Sequence, residues 1–245
     1  MAAGRHAHSL HAYFLRRGRV DEPLDFAVER IRDGRSFTTR RVVARQGERP
    51  IFNLAASFQV EEPGLEHQAP MPEAPEPEVL RTERELCQEI AARLPESLRA
   101  GLLAERALSL WPIDPLDVTA PDARPPQRMV WYQAPRPLPD DPALQRCLLA
   151  YGSDFHFLST ALYPHGLSWL IPGLQIASLD HAIWFHRPFK LEDGLLHVVD
   201  SPTTAGARGL VRGQFFSRDG RLVASTTQEG LLRDRRSGRK ARRAP

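Results

Sequence analysis

The chain has 245 residues, 42% hydrophobic and 26% charged, with a formal net charge of +3, a balance that fits a soluble globular protein able to bury a substantial core. No apolar run has the length a membrane helix needs, and the first residues lack the charged-then-apolar order of a secretory signal. Cys87 and Cys147 make no disulfide framework, and the basic residues are nearly all arginine, with lysine only at Lys190 and Lys240; a cytoplasmic protein with no nucleic-acid partner and no stable membrane insertion is expected.

In chain order, four stretches read as strands: 8–18 (HSLHAYFLRRG), 23–34 (PLDFAVERIRDG), 36–48 (SFTTRRVVARQGE) and 49–59 (RPIFNLAASFQ). Asp33-Gly34 and a short Gln-Gly-Glu turn join them closely, which predicts an antiparallel meander. His6, His8 and His11 form an H-x-H-x-x-H string. On a strand His11 would face opposite the other two, and no cysteine or acid completes a ligand set, so no metal site is expected. A role for His8 beside a substrate is the alternative.

The composition then shifts. Residues 61–78 carry Pro63, Pro70, Pro72, Pro75 and Pro77 among many acids, the mark of a linker that does not pack. Residues 79–94 follow as a helix with Leu80, Leu86, Ile90 and Leu94 roughly on one face, and a second proline-rich link runs to Pro126. A strand is predicted at 128–134 (RMVWYQA).

The next stretch, 141–166, predicts one long helix. Asp141 suits an N-cap and Pro142 the first helical position, while Pro164 and Gly166 close it. Leu144, Cys147, Leu148, Tyr151, Phe155, Leu158 and Leu162 recur at three- and four-residue steps, a continuous apolar stripe. Asp154 falls on the border of that stripe, with Ser153 and His156 turned away. An acid at the edge of a buried face must find hydrogen-bond donors or hold a proton.

After Gly166 the pattern of the first sixty residues returns. ASLDHAIWFHRP (177–188) echoes HSLHAYFLRR, and the stretches 194–203, 207–220 and 221–233 echo the three strands that follow it. This is an internal duplication at long spacing, which predicts two similar antiparallel sheets. The second copy is preceded by a strand and the long helix; the first begins with its four strands.

These residues carry a resemblance. SLDHAIWFHRPF, YGSDFHFLSTALYPHG, ARGLVRGQFFSRDGRLVASTTQEG and the blocks from HSLHAYFLRRG to NLAASFQ closely resemble the type II acyl-CoA thioesterases from about Gly4 to Arg233. The resemblance implies an α+β double hot-dog fold, two antiparallel sheets each wrapping a helix. Members carry one further strand and a Gly-Gly-Gln-bearing helix ahead of the SLHAYF strand, so the first hot-dog is expected to lack its leading strand and central helix. The implied domains are 1–60, the incomplete first half; 61–127, a proline-rich linker with a helix; 128–233, the second half; and 234–245, a basic disordered tail.

The family hydrolyses acyl-CoA thioesters to free acid and CoA and uses no metal or organic cofactor. Carried over by motif, its catalytic residues fall on Asp154 of the SD-x-x-FL block, on Ser178 ahead of Asp180 and His181, and on Gln228 of the Gln-Glu-Gly ending. Asp154 would serve as base or anchor for a water, with Ser178 and Gln228 donating to and accepting from it. Arg208 and Arg212 are candidates for the CoA phosphates, and His181 and His186 are expected as packed or edge histidines. A homo-oligomer is also implied. No G-x-S-x-G elbow, G-x-G-x-x-G or P-loop is present, which weighs against an α/β-hydrolase and against nucleotide binding of those kinds. The Arg-Ala-Pro ending is not a Ser-Lys-Leu peroxisomal address. The alternative reading is an acyl-CoA-binding or scaffold relative without turnover.

Overall fold

A computed structural model describes residues 4–236; from 237 onward the expected basic tail lies outside the described residues. The first four strands form where expected: β1 (Arg5–Phe14), β2 (Asp25–Asp33), β3 (Phe37–Gln46) and β4 (Arg49–Val60). They are not a simple meander, because β1 pairs with β4 and not with β2. Helix α1 (Glu83–Ala91) begins four residues later than predicted, at a Thr82–Glu85 capping box, which satisfies two free backbone N–H groups. The second proline-rich link contains two elements that the sequence did not announce, α2 (Glu96–Leu102) and β5 (Ser109–Pro112). Then come β6 (Gln127–Gln133), α3 (Pro142–Gly152), a 3₁₀ segment (Leu158–His165), β7 (Leu174–Ser178), β8 (Asp180–Phe185), β9 (Leu195–Ala205), β10 (Arg208–Ser217) and β11 (Leu222–Asp234).

All pairings are antiparallel, and the two expected sheets are joined edge to edge into one of eleven strands. Its order is β2-β3-β4-β1-β8-β11-β10-β9-β6-β5, with β7 beside the end of β11. By the sequence repeat, β8, β9, β10 and β11 correspond to β1, β2, β3 and β4. The order is therefore a palindrome about the β1–β8 seam, where Ser9 pairs with Trp184 and Tyr13 with Asp180. Beyond β9 the sheet continues into β6 and β5; beyond β2 no strand follows among the described residues.

The predicted long helix is broken. α3 stops at Gly152, a turn spans 153–157, and the chain resumes as the 3₁₀ segment. Within α3 the predicted stripe is not the buried face: Tyr151 is 55% exposed and Cys147 is exposed, while Gln145, Leu149 and Gly152 face inward; beyond the break, Leu158 and Leu162 are buried as expected. Gly152 accounts for the rotation, since a Cβ there would stand 2.5 Å from Leu108 Cδ1. Leu149 packs with Tyr132, Ile183, Phe215 and Ala224 in the main core. The proline-rich stretch also departs from expectation, because it packs. Met71, Ala74 and Leu80 lie on Trp131, Leu196, Phe216 and Leu222, and Trp131 Nε1 donates to Pro75 O at 2.8 Å. Tryptophan burial with its N–H satisfied makes the strap part of the fold.

The 3₁₀ segment lies directly on β11. A Cβ at Gly230 would fall 2.1 Å from Leu158 Cδ2 and 3.0 Å from its Cγ. Gly230→Ala is thus an overpacking change, expected to lower stability by ~1–3 kcal/mol, read as a lower urea midpoint at unchanged slope. An unchanged midpoint would show that this contact is not tight.

Candidate active site

Asp154 sits in the turn that breaks the helix, and a partly buried ion cluster holds that turn from behind. His156 has φ +53°, a left-handed conformation unfavourable for a side chain with a Cβ. Arg128 Nη1 donates to the His156 carbonyl at 2.8 Å, and His156 Nε2 lies 2.6 Å from Glu83 Oε1 on α1. Arg106 Nη1 donates to Glu83 Oε2 at 3.0 Å. An ionised carboxylate only accepts, so Nε2 carries the proton, and the nearby Arg106 guanidinium serves Glu83 rather than the ring.

Burial alone would raise the Glu83 carboxyl, but the hydrogen bond and charge of His156, with Arg106 and Arg128, outweigh it and hold it at about 2. A depressed carboxyl stabilises the fold above its ordinary value of 4.5 and loses that contribution as pH falls toward about 2. The stability gap between wild type and Glu83→Gln should therefore be open at neutral pH and shrink at about pH 3. Urea titrations at both pH values measure it, and a pH-independent gap contradicts this electrostatic account.

The half-buried Asp154 side chain makes no hydrogen bond or ion pair among the described residues. It is neither an N-cap nor half of a salt bridge, so its carboxylate is open to a water. Ser178 and Gln228 are brought together across a strand irregularity. The single strand expected over 177–188 is interrupted at Leu179, giving β7 and β8. Thr227 of β11 pairs with Ala182, but Gly230 pairs with Ser178. Four steps on one side thus face three on the other, a bulge that re-aims the side chains around it. Leu179 N bonds Glu229 O at 3.0 Å, and Asp180 Oδ1 accepts from Glu229 N at 2.6 Å.

Gln228 Nε2 donates to Ser178 Oγ at 2.9 Å, and Gln228 Oε1 lies 2.6 Å from His181 Nδ1. His181 Nε2 lies 2.8 Å from Ser153 Oγ, next to Asp154 in the turn. A continuous polar chain therefore runs Ser153–His181–Gln228–Ser178. Ser153 and Gln228 are wholly buried and His181 nearly so. Burial lowers the His181 imidazole pKa, partly offset by the Gln228 hydrogen bond and by the Asp154 and Asp180 carboxylates, so the ring is neutral at pH 7. No hydrogen bond joins Asp154 itself to Ser178 or Gln228 among the described residues; its field at His181 marks its proximity.

Sequence reasoning missed Ser153 and His181. Ser153 is expected to point away from the core, and the turn overrides that; His181 is packed as expected, but its bonds to Gln228 and Ser153 are not foreseen. The signal was present, since each flanks an aspartate in a quoted motif, Ser153-Asp154 and Asp180-His181. Other candidates are otherwise engaged. His8 Nε2 bonds Ser57 Oγ at 2.8 Å. Arg208 pairs with Glu229 at 2.8 Å and Arg212 with Asp200 at 2.7 Å. No group of three potential metal ligands occurs among the described residues. A cavity of about 280 Å³ between α1 and the 3₁₀ segment reaches His156 and Arg128, and its lining includes none of Asp154, Ser178 and Gln228.

The family described as acyl-CoA thioesterase matches residues 117–231, and the one described as acyl-CoA thioesterase N-terminal domain matches residues 1–59. The chain is 43% identical over 229 residues to acyl-CoA thioesterase 2 of Haemophilus influenzae, covering 92% of this chain and 79% of that protein. It resembles the crystal structure of an acyl-CoA thioesterase II from Mycobacterium marinum with a TM-score of 0.77 at 39% identity, covering 96% of this chain and 83% of the other. A hot-dog protein of Alicyclobacillus acidocaldarius shares the fold, with a TM-score of 0.70 at 18% identity over 93% of this chain and 78% of that one.

Proposed function

The chain belongs to the acyl-CoA thioesterase family and hydrolyses acyl-CoA thioesters, and on that premise we propose that Asp154, Ser178 and Gln228 carry the reaction. The Asp154 carboxylate takes a proton from water as the water oxygen adds to the thioester carbonyl carbon. Negative charge forms on the carbonyl oxygen, where the Ser178 hydroxyl donates to it. Collapse breaks the C–S bond, and the proton returns from Asp154 to the departing CoA sulfur. Gln228 is sealed from solvent, so it acts through its bond to Ser178 Oγ. The observation that carries this reading is the unpartnered Asp154 carboxylate one residue from the Ser153–His181–Gln228–Ser178 chain. Nothing in that arrangement gives Ser178 a histidine base, which favours water over a serine nucleophile.

The test is thiol release from medium- and long-chain acyl-CoA, with mass spectrometry of enzyme quenched during turnover. Free thiol with no mass added to the protein is expected. An acyl group on Ser178 would overturn the direct attack by water.

Finer features belong to the same reading. Among the described residues the first half shows neither a leading strand nor a central helix, in keeping with a strand order that continues into β6 and β5 only beyond β9. The segments 1–60, 61–127, 128–233 and 234–245 divide the chain by sequence, although β6 begins at Gln127 and β11 runs to Asp234. The protein works in the cytoplasm as a homo-oligomer. Among the described residues no helix is long and apolar enough to cross a membrane, and Phe26 and Val28, two residues apart on β2, stand 62% and 63% exposed, a patch suited to cover by a second copy. Light scattering checks this, and a monomer at high concentration would refute it.

A further inference from the structure

The chain Ser153–His181–Gln228–Ser178 can be hydrogen-bonded in two self-consistent ways, and they differ in what Ser178 offers the substrate. The Ser153 hydroxyl has one proton and two neighbours, Ala150 O at 2.9 Å and His181 Nε2 at 2.8 Å. If it donates to Nε2, a neutral His181 carries its proton on Nδ1 and donates to Gln228 Oε1 at 2.6 Å. The amide then turns Nε2 to Ser178 Oγ at 2.9 Å, and the Ser178 proton stays free. If Ser153 donates to Ala150 O instead, Nε2 holds the ring proton and the bare Nδ1 needs a donor. The Gln228 amide would then have to turn over, and Ser178 would spend its proton on Oε1.

We propose that His181 is a positioning residue: its Nδ1–H holds the Gln228 amide with Nε2 toward Ser178, leaving the Ser178 hydroxyl proton free for the reacting carbonyl oxygen. The inference rests on the reading of Ser178 and Gln228 given above. Three observations carry it. Gln228 is wholly buried and has His181 and Ser178 as its only side-chain partners among the described residues. His181, with Ile183 and Phe185, points inward from β8. Ser153 supplies the remaining ring nitrogen with a partner from the turn that bears Asp154, so one imidazole couples the base's turn to the strand that aims the hydroxyl.

The test compares three substitutions in a thiol-release assay on the full chain. An asparagine side-chain nitrogen falls near the position of Nδ1 and can donate there; aspartate there can only accept; leucine does neither. His181→Asn is expected to keep kcat within about tenfold of wild type. His181→Asp and His181→Leu are expected to lose ~100-fold in kcat, the scale for misplaced reacting groups, with KM changed by less than about threefold. Aspartate as active as asparagine, or leucine with wild-type kcat, overturns the proposal. Should the aspartate or leucine chain fail to fold, ¹⁵N NMR of wild-type His181 decides: a protonated Nδ1 and bare Nε2 support it, and the reverse tautomer ends it. Ser178→Ala and Gln228→Ala run alongside. If both keep wild-type kcat, the site reading falls and this inference with it; if both lose activity while His181→Leu does not, only the positioning role falls.

Discussion

Asp154→Asn is expected to lower kcat on acyl-CoA by ~10²–10⁴-fold, the usual worth of general-base assistance, with little change in KM or in the urea midpoint. The carboxylate has no partner among the described residues, so an amide of the same shape breaks no contact of the fold. What it removes is the ability to accept a proton from water at the moment of attack. An asparagine can still hold that water by a hydrogen bond, which is why some activity should survive. Steady-state kinetics with a denaturation curve on the same sample decide the matter. Wild-type kcat in this variant would move the base elsewhere, whereas equal loss of kcat and stability would make Asp154 a structural acid.

Gln228→Ala should cost ~100- to 1,000-fold in kcat, comparable to the loss of one oxyanion donor. Its route is indirect, because Gln228 touches no solvent: without the amide, Ser178 Oγ loses the donor that fixes its rotamer. This variant, unlike Asp154→Asn, should also lose stability. It strands His181 Nδ1 in the core, and an unsatisfied buried group costs ~1–3 kcal/mol. The contrast between the two variants, one catalytic loss at full stability and one with a stability loss beside it, is a kinetic and calorimetric signature of the arrangement. A Gln228→Ala enzyme of normal stability would show that His181 finds another acceptor.

The strands were legible because their signal is local. The repeat places strands at 207–220 and 221–233, and β10 (Arg208–Ser217) and β11 (Leu222–Asp234) form there. The repeat implies two similar sheets, but their junction at the β1–β8 seam, and the palindromic order it creates, show only in the structure. The helix failed for a tertiary reason. Three-residue periodicity in 144–162 continues through a 3₁₀ segment nearly as well as through an α-helix, and nothing in that spacing says that Gly152 must admit Leu108 or that His156 will turn left-handed over Glu83, 73 residues upstream. The same break turned Ser153 inward. Of the site, the three family positions are placed by motif, and Asp180-His181 marks the imidazole too, but its role depends on a strand bulge visible only once β7, β8 and β11 are aligned. The proline-rich strap was misread for a related reason: prolines exclude regular structure but do not prevent Met71 and Leu80 from covering Trp131.

Direct attack by water is tested most sharply by a single turnover in ¹⁸O-water, with enzyme in excess over acyl-CoA and both products analysed by mass spectrometry. With Asp154 as base, the label enters the released fatty acid and none appears in the peptide containing Asp154. Label in the Asp154 carboxyl would mean that the carboxylate itself had attacked the thioester and been regenerated by water, which contradicts its role as base.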